Sequence, residues 1–507
     1  MASYLSNVDN FWLSMDHPTN LMVIVGILEL DRPVDYGRLC QTVDQRLLGL
    51  TRFKQRVVHP VGGVGLPHWE RDPYFDVRSH VHRVALPSPG DQGALQELVG
   101  DLMTTPLDAT RPLWQMHLIE GWGRGSAILA RIHHCIADGI ALIHVLLSLT
   151  DLSASSAASR ETSTRGRRRR RSLLRTMGRT LSRAEAVGER LWHDWIQVVS
   201  APDQLLGAAR TATHLTVDSA ATVSKLLRLK AAPKTVFKGR LGVHKAVTWS
   251  EPIPLAEVKV VGRATGATVN DVLIATIAGA LRRYLRRRRE AVDELDLQVM
   301  IPVNIRPADK AFELGNRFSL VFLGLPVMIK DPLERLREVK RRMDALKRSP
   351  DAFVGYQTLT ALGRSPENVA KKGADFFSRK ATAVLTNVPG PRQPLFLCGR
   401  KITNMMFWVP RSGRLGLGLS IISYDGRVTL GIVVDSGLVP DPAQLARDYL
   451  REFEHLKARA PRRASTAEFR QRKFGHTDAQ CSGQTRAGAR CRKRAQQGKR
   501  YCALHAR

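Results

Sequence analysis

Apolar positions along this chain recur with two periods, and the switches between them mark out elements. Residues 22–30 alternate as a strand does, and residues 36–48 carry apolar positions at helical spacing. Residues 126–133 predict a second strand, followed after a tight loop by an apolar helix over 139–149. Beyond residue 152 the pattern stops. Residues 153–164 are rich in Ser, Ala and Thr, have no periodic apolar face, and lead into an unbroken run of arginines at 167–171. Residues 173–229 regain a helical stripe with Trp192, Trp195, Ile196 and Val199, and Pro233 closes that region. Such a helix either packs between domains or lies on an anionic membrane. Mixed patterning then resumes. It predicts strands at 245–250, 298–303 and 381–386, helices at 270–287 and 332–348, and a last helix from 442 to about 459. Residues 415–423 and 427–434 read as a hairpin that turns at Tyr424-Asp425-Gly426. Each half therefore reads as α/β or α+β, joined by a basic helical crossover.

The chain has 507 residues, enough for two or three domains, and 43% of them are hydrophobic, which excludes global disorder. Six cysteines exclude a disulfide-built secreted scaffold. The first ten residues are polar and lack the basic start and apolar run of a signal peptide. No apolar stretch reaches the ~18 residues needed to span a bilayer. These features predict a cytoplasmic protein, soluble or bound peripherally to the inner membrane or to lipid bodies.

Charge changes that picture in two places. The formal net charge is +32. Residues 160–190 hold eleven Arg against three Glu, and residues 461–507 hold thirteen Lys or Arg against two acids. Arg282, Arg283 and Arg286 to Arg289 form a further cluster at a helix end. Blocks like these attract lipid headgroups, nucleic acid or acyl-carrier phosphates, unless they are simply a solvated surface. Aromatic residues are 6% of the chain and are not interleaved with the basic runs, which argues against sequence-specific nucleic-acid binding.

The segment with the most chemical content is His133-His134-Cys135-Ile136-Ala137-Asp138-Gly139, between the apolar strand and the apolar helix. A histidine at a strand end presents its imidazole at an open edge, where the neutral ring suits a general base near pH 7. Asp138 can hold the loop by accepting backbone or Arg hydrogen bonds, and Gly139 is expected to let the chain turn into the helix. A purely structural histidine pair is the competing reading. Joint metal ligation is disfavoured, because adjacent strand residues point to opposite faces.

Several further motifs accompany this one in a fixed order: Leu5-Ser6-Asn7-Val8-Asp9 with Asp16-His17-Pro18-Thr19-Asn20, then Arg111-Pro112-Leu113-Trp114, Asn270-Asp271-Val272-Leu273, Pro302-Val303-Asn304-Ile305-Arg306, Gly315-Asn316, and Thr386-Asn387-Val388-Pro389-Gly390-Pro391. Together they resemble the bacterial wax ester synthase/diacylglycerol acyltransferase family over nearly all of residues 1–460. The resemblance implies an α/β fold of two chloramphenicol-acetyltransferase-like, coenzyme A-dependent acyltransferase domains with a tunnel between them. The domains would be 1–152 and 240–460, joined by the basic crossover 153–239. It implies transfer of a fatty acyl group from acyl-CoA to diacylglycerol or a long-chain alcohol, with no catalytic cofactor. His134 would then be the general base and His133 its neighbour. Asp138 would be structural, Gly139 would permit the turn, and Asn270 would help to stabilise the oxyanion. A base and an oxyanion donor suffice for this chemistry, and Cys135 reads as a small buried residue.

Residues 461–507 lie outside the resemblance. Cys481, Cys491, Cys502 and His505 form a Cys-x9-Cys-x10-Cys-x2-His pattern that suits a structural zinc site, against the alternative of a disordered basic tail. Two other functional readings remain at this point. One is a condensation-type acyltransferase fed by a carrier protein. The other is a lipid- or nucleic-acid-binding protein built on a vestigial acyltransferase body.

Overall fold

The computed structural model describes residues 3–60, 65–154, 230–306, 314–411 and 413–461. The basic crossover helix expected at 173–229, the 167–171 arginines and the Cys481, Cys491, Cys502 and His505 set all lie outside the described residues. The contacts of the chain divide after Arg459, and Met1–Arg459 is one compact unit.

Two mixed β-sheets organise that unit. The first runs Phe396–Leu397, Arg400–Trp408, Val23–Leu30, Ser126–His133, Trp114–Glu120 and Val81–Ala85 across its width. The second runs Phe318–Leu325, Leu297–Asn304, Ala383–Pro389, Leu417–Tyr424, Arg427–Asp435 and Lys245–Trp249, with Ile253–Pro254 also paired to Arg427–Asp435. Parallel pairing at Ala383–Pro389 and antiparallel pairing around it make this a mixed sheet of an α/β fold. A small third sheet pairs Ser3–Tyr4, His68–Arg71 and Gln55–Val58.

The elements start where local chemistry allows. The apolar helix Gly139–Leu149 is capped by Asp138, whose carboxylate accepts the Ala141 N–H at 2.9 Å. Val269–Arg287 begins with a reciprocal capping box between Thr268 and Asp271. The hairpin Leu417–Tyr424 to Arg427–Asp435 turns through Asp425 (φ 46°) and Gly426 (φ 73°), the left-handed pair that an Asp-Gly turn supplies. Among the described residues no single helix is long and apolar enough to cross a membrane. Leu255–Thr265 and Val269–Arg287 reach that composition only together, and they meet at 97°.

Two departures from the sequence reading matter. The helix expected over 36–48 is α-helical only at Tyr36–Thr42 and finishes as a π-turn over Val43–Leu47. More consequentially, Arg400–Trp408, from the second half of the sequence, completes the first sheet against Val23–Leu30. There the two large sheets meet: Trp408 lies 5.7 Å from Trp249, and Met406 presses on Gly431, where an added Cβ would sit 2.9 Å from its Cε.

Candidate active site

His133 ends the strand Ser126–His133, and His134 is the first residue beyond it. The main chain fixes both, since the His134 N–H donates to the Met22 carbonyl at 2.7 Å and the His133 N–H to Leu113 at 2.9 Å. The two rings meet different surroundings. The Cys135 N–H lies 3.2 Å from His133 Nδ1, and His133 Nε2 lies 3.4 Å from an Asp16 carboxylate oxygen. Burial works against the Asp16 charge, yet its contact with His133 and the Met22 N–H outweigh burial and hold its carboxyl below the usual range. Cys135 is fully buried with no disulfide partner.

The His134 imidazole turns instead to an apolar wall. It stacks on Trp12 with centroids 4.6 Å apart and 19° between planes, and Phe318 lies 5.4 Å away. The residue is 6% exposed, and its Nδ1 is buried without a hydrogen-bond partner among the described residues. Burial is the main reason its pKa falls to about 4, so the ring is neutral at pH 7. A neutral imidazole is the form that can take a proton from a hydroxyl.

Asp138 is occupied entirely with architecture. One oxygen caps the helix, and the other accepts from Arg306 Nη2 at 2.8 Å and from the Arg317 N–H at 3.0 Å. Arg306 also donates to the Gly315 carbonyl at 2.7 Å, and Gly315 bridges Ala137. Asn316 closes the clamp: its Nδ2 donates to the His134 carbonyl at 2.7 Å and to Asp9 at 2.8 Å. Burial pushes Asp9 above the usual carboxylate range, against the hydrogen bonds from Asn316 and Ser6. The histidine loop from the first half is thus held by side chains from the second.

Gly139 does not play the part expected of it. Its φ lies outside the left-handed region, and an added Cβ would meet only Val388 Cγ2, at 3.9 Å. The turn into the helix comes from the Asp138 cap and requires no glycine. Asn270, in the first turn of Val269–Arg287, accepts from Asn387 Nδ2 at 2.8 Å. Its own Nδ2 has no partner among the described residues, and Asn387 precedes the Val388 that faces Gly139. Among the described residues no His, Cys, Asp and Glu cluster could hold a metal ion. A small pocket is lined by Leu21, Met103, Lys245, Trp408 and Arg411 among others.

Sequence reasoning gave no role to Trp12, Asp16, Phe318 or Arg306 in this site, nor to Asp9 and Asn316. Of these, Asp9, Asp16, Arg306 and Asn316 stand inside motifs noted from the sequence, and that co-occurrence was the signal available.

Comparison with known proteins gives a consistent picture. Residues 5–273 match the family model described as the wax ester synthase/diacylglycerol acyltransferase catalytic domain, and residues 314–457 match the WS/DGAT C-terminal domain. The chain is 31% identical over 472 residues to "Probable diacyglycerol O-acyltransferase tgs1" of Mycobacterium tuberculosis, a match covering 92% of this chain and 98% of that relative. Among solved structures it is similar to the wax ester synthase/diacylglycerol acyltransferase of Marinobacter aquaeolei VT8. That match has a TM-score of 0.63 and 21% identity, and covers 90% of this chain and 99% of that one. The first condensation domain of the calcium-dependent antibiotic synthetase has the same fold at a TM-score of 0.58 and 16% identity, covering 91% of this chain and 97% of that one.

Proposed function

The chain belongs to the wax ester synthase/diacylglycerol acyltransferase family, and on that footing we propose how it carries out acyl-CoA-dependent acyl transfer. The acceptor is the hydroxyl of diacylglycerol, with long-chain alcohols as a second acceptor class. His134 is the general base. As the acceptor oxygen attacks the thioester carbonyl, the imidazole takes the hydroxyl proton. The tetrahedral oxyanion collapses, the C–S bond breaks, and the same proton passes to the departing CoA thiolate. Asn270 accepts from Asn387 through its Oδ1 and offers its Nδ2 to the oxyanion. Asp138 and Arg306 touch no substrate; they hold the loop that aims the base.

The observation that carries this reading is the His134 ring itself, buried, neutral and stacked on Trp12, one residue beyond a strand end and held by side chains from both halves of the chain. Because diacylglycerol and fatty alcohols dissolve in lipid, the enzyme works at an anionic membrane or lipid-body surface.

The test is an acyl-transfer assay with palmitoyl-CoA, offering dioleoylglycerol and hexadecanol separately. His134→Ala is expected to lose at least ~100-fold in turnover, the usual scale for a general base. Full activity in that variant would discard His134 as the base. No product from either acceptor, with folded protein, would point to a carrier-bound donor instead.

A further inference from the structure

We propose that Trp12 is a positioning residue for acyl transfer, the indole wall against which the His134 imidazole is held flat and dry. This rests on the reading of His134 as the base. Trp12 lies on the first helix, Asn7–Ser14, in a stretch far from the histidine motif in sequence, and it is 4% exposed. Its ring is nearly parallel to that of His134. Phe318, from an edge strand of the second sheet, stacks on the indole at 5.7 Å and 23° and backs the wall. Aromatic rings at such offsets attract each other beyond the area they bury.

The helix that delivers Trp12 has anchors of its own. Ser6 caps it by accepting the Asp9 N–H at 3.1 Å, and Asp9 accepts both the main-chain and the side-chain N–H of Asn316. At its start, the helix Asp351–Arg364 packs so closely that an added Cβ on Gly363 would lie 1.8 Å from the Asn7 carbonyl oxygen. The wall is therefore rigid, and the imidazole is the part that conforms to it. Asn316 joins the two, because the amide that holds Asp9 also holds the His134 carbonyl.

Two consequences follow for the chemistry. A flat wall removes rotation of the ring about its χ2 bond, so the basic nitrogen keeps its aim between turnovers. It also excludes water from one ring face, and burial is the largest influence keeping the imidazole neutral well below pH 7. Replacing the indole with a small side chain should admit water and let the basicity of His134 climb back toward its ordinary value. The Trp12 Nε1 is itself buried without a hydrogen-bond partner among the described residues. The position thus bears an unmet donor that phenylalanine would not have, so the wall and the N–H can be separated by substitution.

The experiment compares kcat and KM for palmitoyl-CoA across pH 3–8 in the full chain and in Trp12→Phe, Trp12→Leu and Trp12→Ala, with His134→Ala alongside. Trp12→Leu should lose ~10-fold in kcat with KM for acyl-CoA within ~2-fold, as expected of lost orientation rather than lost binding. Trp12→Ala should in addition move the acid limb of kcat/KM upward by about a pH unit. Trp12→Leu keeps apolar bulk, so the proposal remains testable should the alanine variant not fold. Trp12→Phe keeps a wall and should stay within ~3-fold of the parent at every pH. Wild-type kcat in Trp12→Leu would overturn the proposal. A Trp12→Phe variant as impaired as Trp12→Leu would also overturn it, in favour of hydrogen-bond donation by the indole N–H. Activity surviving in His134→Ala would instead be the failure of the base assignment, separate from either result.

Discussion

Two buried ionic clusters in this chain look alike in composition and differ in what depends on them. At the active site, Asp138 meets Arg306, both side chains almost fully enclosed. Elsewhere, Glu452 of the last helix, Pro442–Arg459, meets Arg335 of Pro332–Lys347 and Arg283 of Val269–Arg287. Arg335 also donates to the Ala275 and Ile329 carbonyls, at 3.2 and 2.8 Å. Both clusters satisfy a buried guanidinium with one carboxylate and main-chain oxygens, as a charge out of water requires. The difference lies in what each carboxylate or guanidinium also touches. Asp138 caps the helix that follows the histidine pair, and Arg306 binds the Gly315 carbonyl beside Asn316, which holds His134. Among the described residues, Glu452 and Arg335 touch only helices and the turn that feeds them. A buried ion pair is therefore weak evidence for function until its remaining hydrogen bonds are traced.

Breaking the pairs should separate these roles. Arg306→Ala strands the Asp138 charge, and removing one partner of a buried pair typically costs about 3–5 kcal/mol. Turnover per folded molecule should fall by ~100-fold, because the loop that aims His134 loses its clamp; steady-state kinetics on the folded fraction reads this. Glu452→Gln should cost a comparable amount in denaturant unfolding, but leave kcat within ~2-fold. Equal activity losses in the two variants would erase the distinction. A smaller effect is expected at Asn270→Ala, whose lost oxyanion donor should lower kcat by ~10- to 100-fold without changing the unfolding midpoint.

Gly279 sharpens the contrast from the structural side. An added Cβ there would lie 2.2 Å from Glu452 Cγ and 2.5 Å from Arg335 Nη2, so the helix has no side chain where the ion cluster needs room. Gly279→Ala should destabilise by about 1–3 kcal/mol through overpacking, read as a shift in denaturant midpoint with no shift in kcat.

Acid should act on the site first. Burial lowers His117, His134 and His144 to about 4 from 6.5. Their neutral forms stabilise the fold fully above pH 6.5. Between pH 6.5 and 4 the unfolded chain binds protons that the folded chain refuses, so stability falls as pH falls through that window. Two of the three, His134 and His144, flank Asp138. Hydrogen exchange at pH 5 should therefore show protection lost over residues 133–149 before it is lost over 442–459.

The site was legible where its signal was local. The strand Ser126–His133 and the helix Gly139–Leu149 have the ends their apolar runs predict, because Asp138 is both the end of one pattern and the cap of the next. The Asp-Gly turn was equally local. The clamp was not, because its partners are far apart in sequence: Asn316 is 182 residues from His134 and 307 from Asp9, and Arg306 is 168 from Asp138. Residues 7–14 looked merely polar at their start, although Val8, Phe11 and Trp12 are buried. The strand Arg400–Trp408 escaped notice because it opens on Arg and Lys and carries Asn404 mid-way, and it is recognisable as a strand only once Val23–Leu30 lies beside it.

That late strand also sets a schedule for biosynthesis. Asn404 hydrogen-bonds Glu29 across 375 residues of chain. At 5–20 residues per second, a ribosome that has released Val23–Leu30 needs roughly 20 to 75 seconds more to deliver its neighbour. Through that interval one edge of the first sheet has no partner strand, a state that invites pairing with other nascent chains. Production of this enzyme should accordingly depend on whatever shelters that edge, and an N-terminal half expressed alone should aggregate rather than fold.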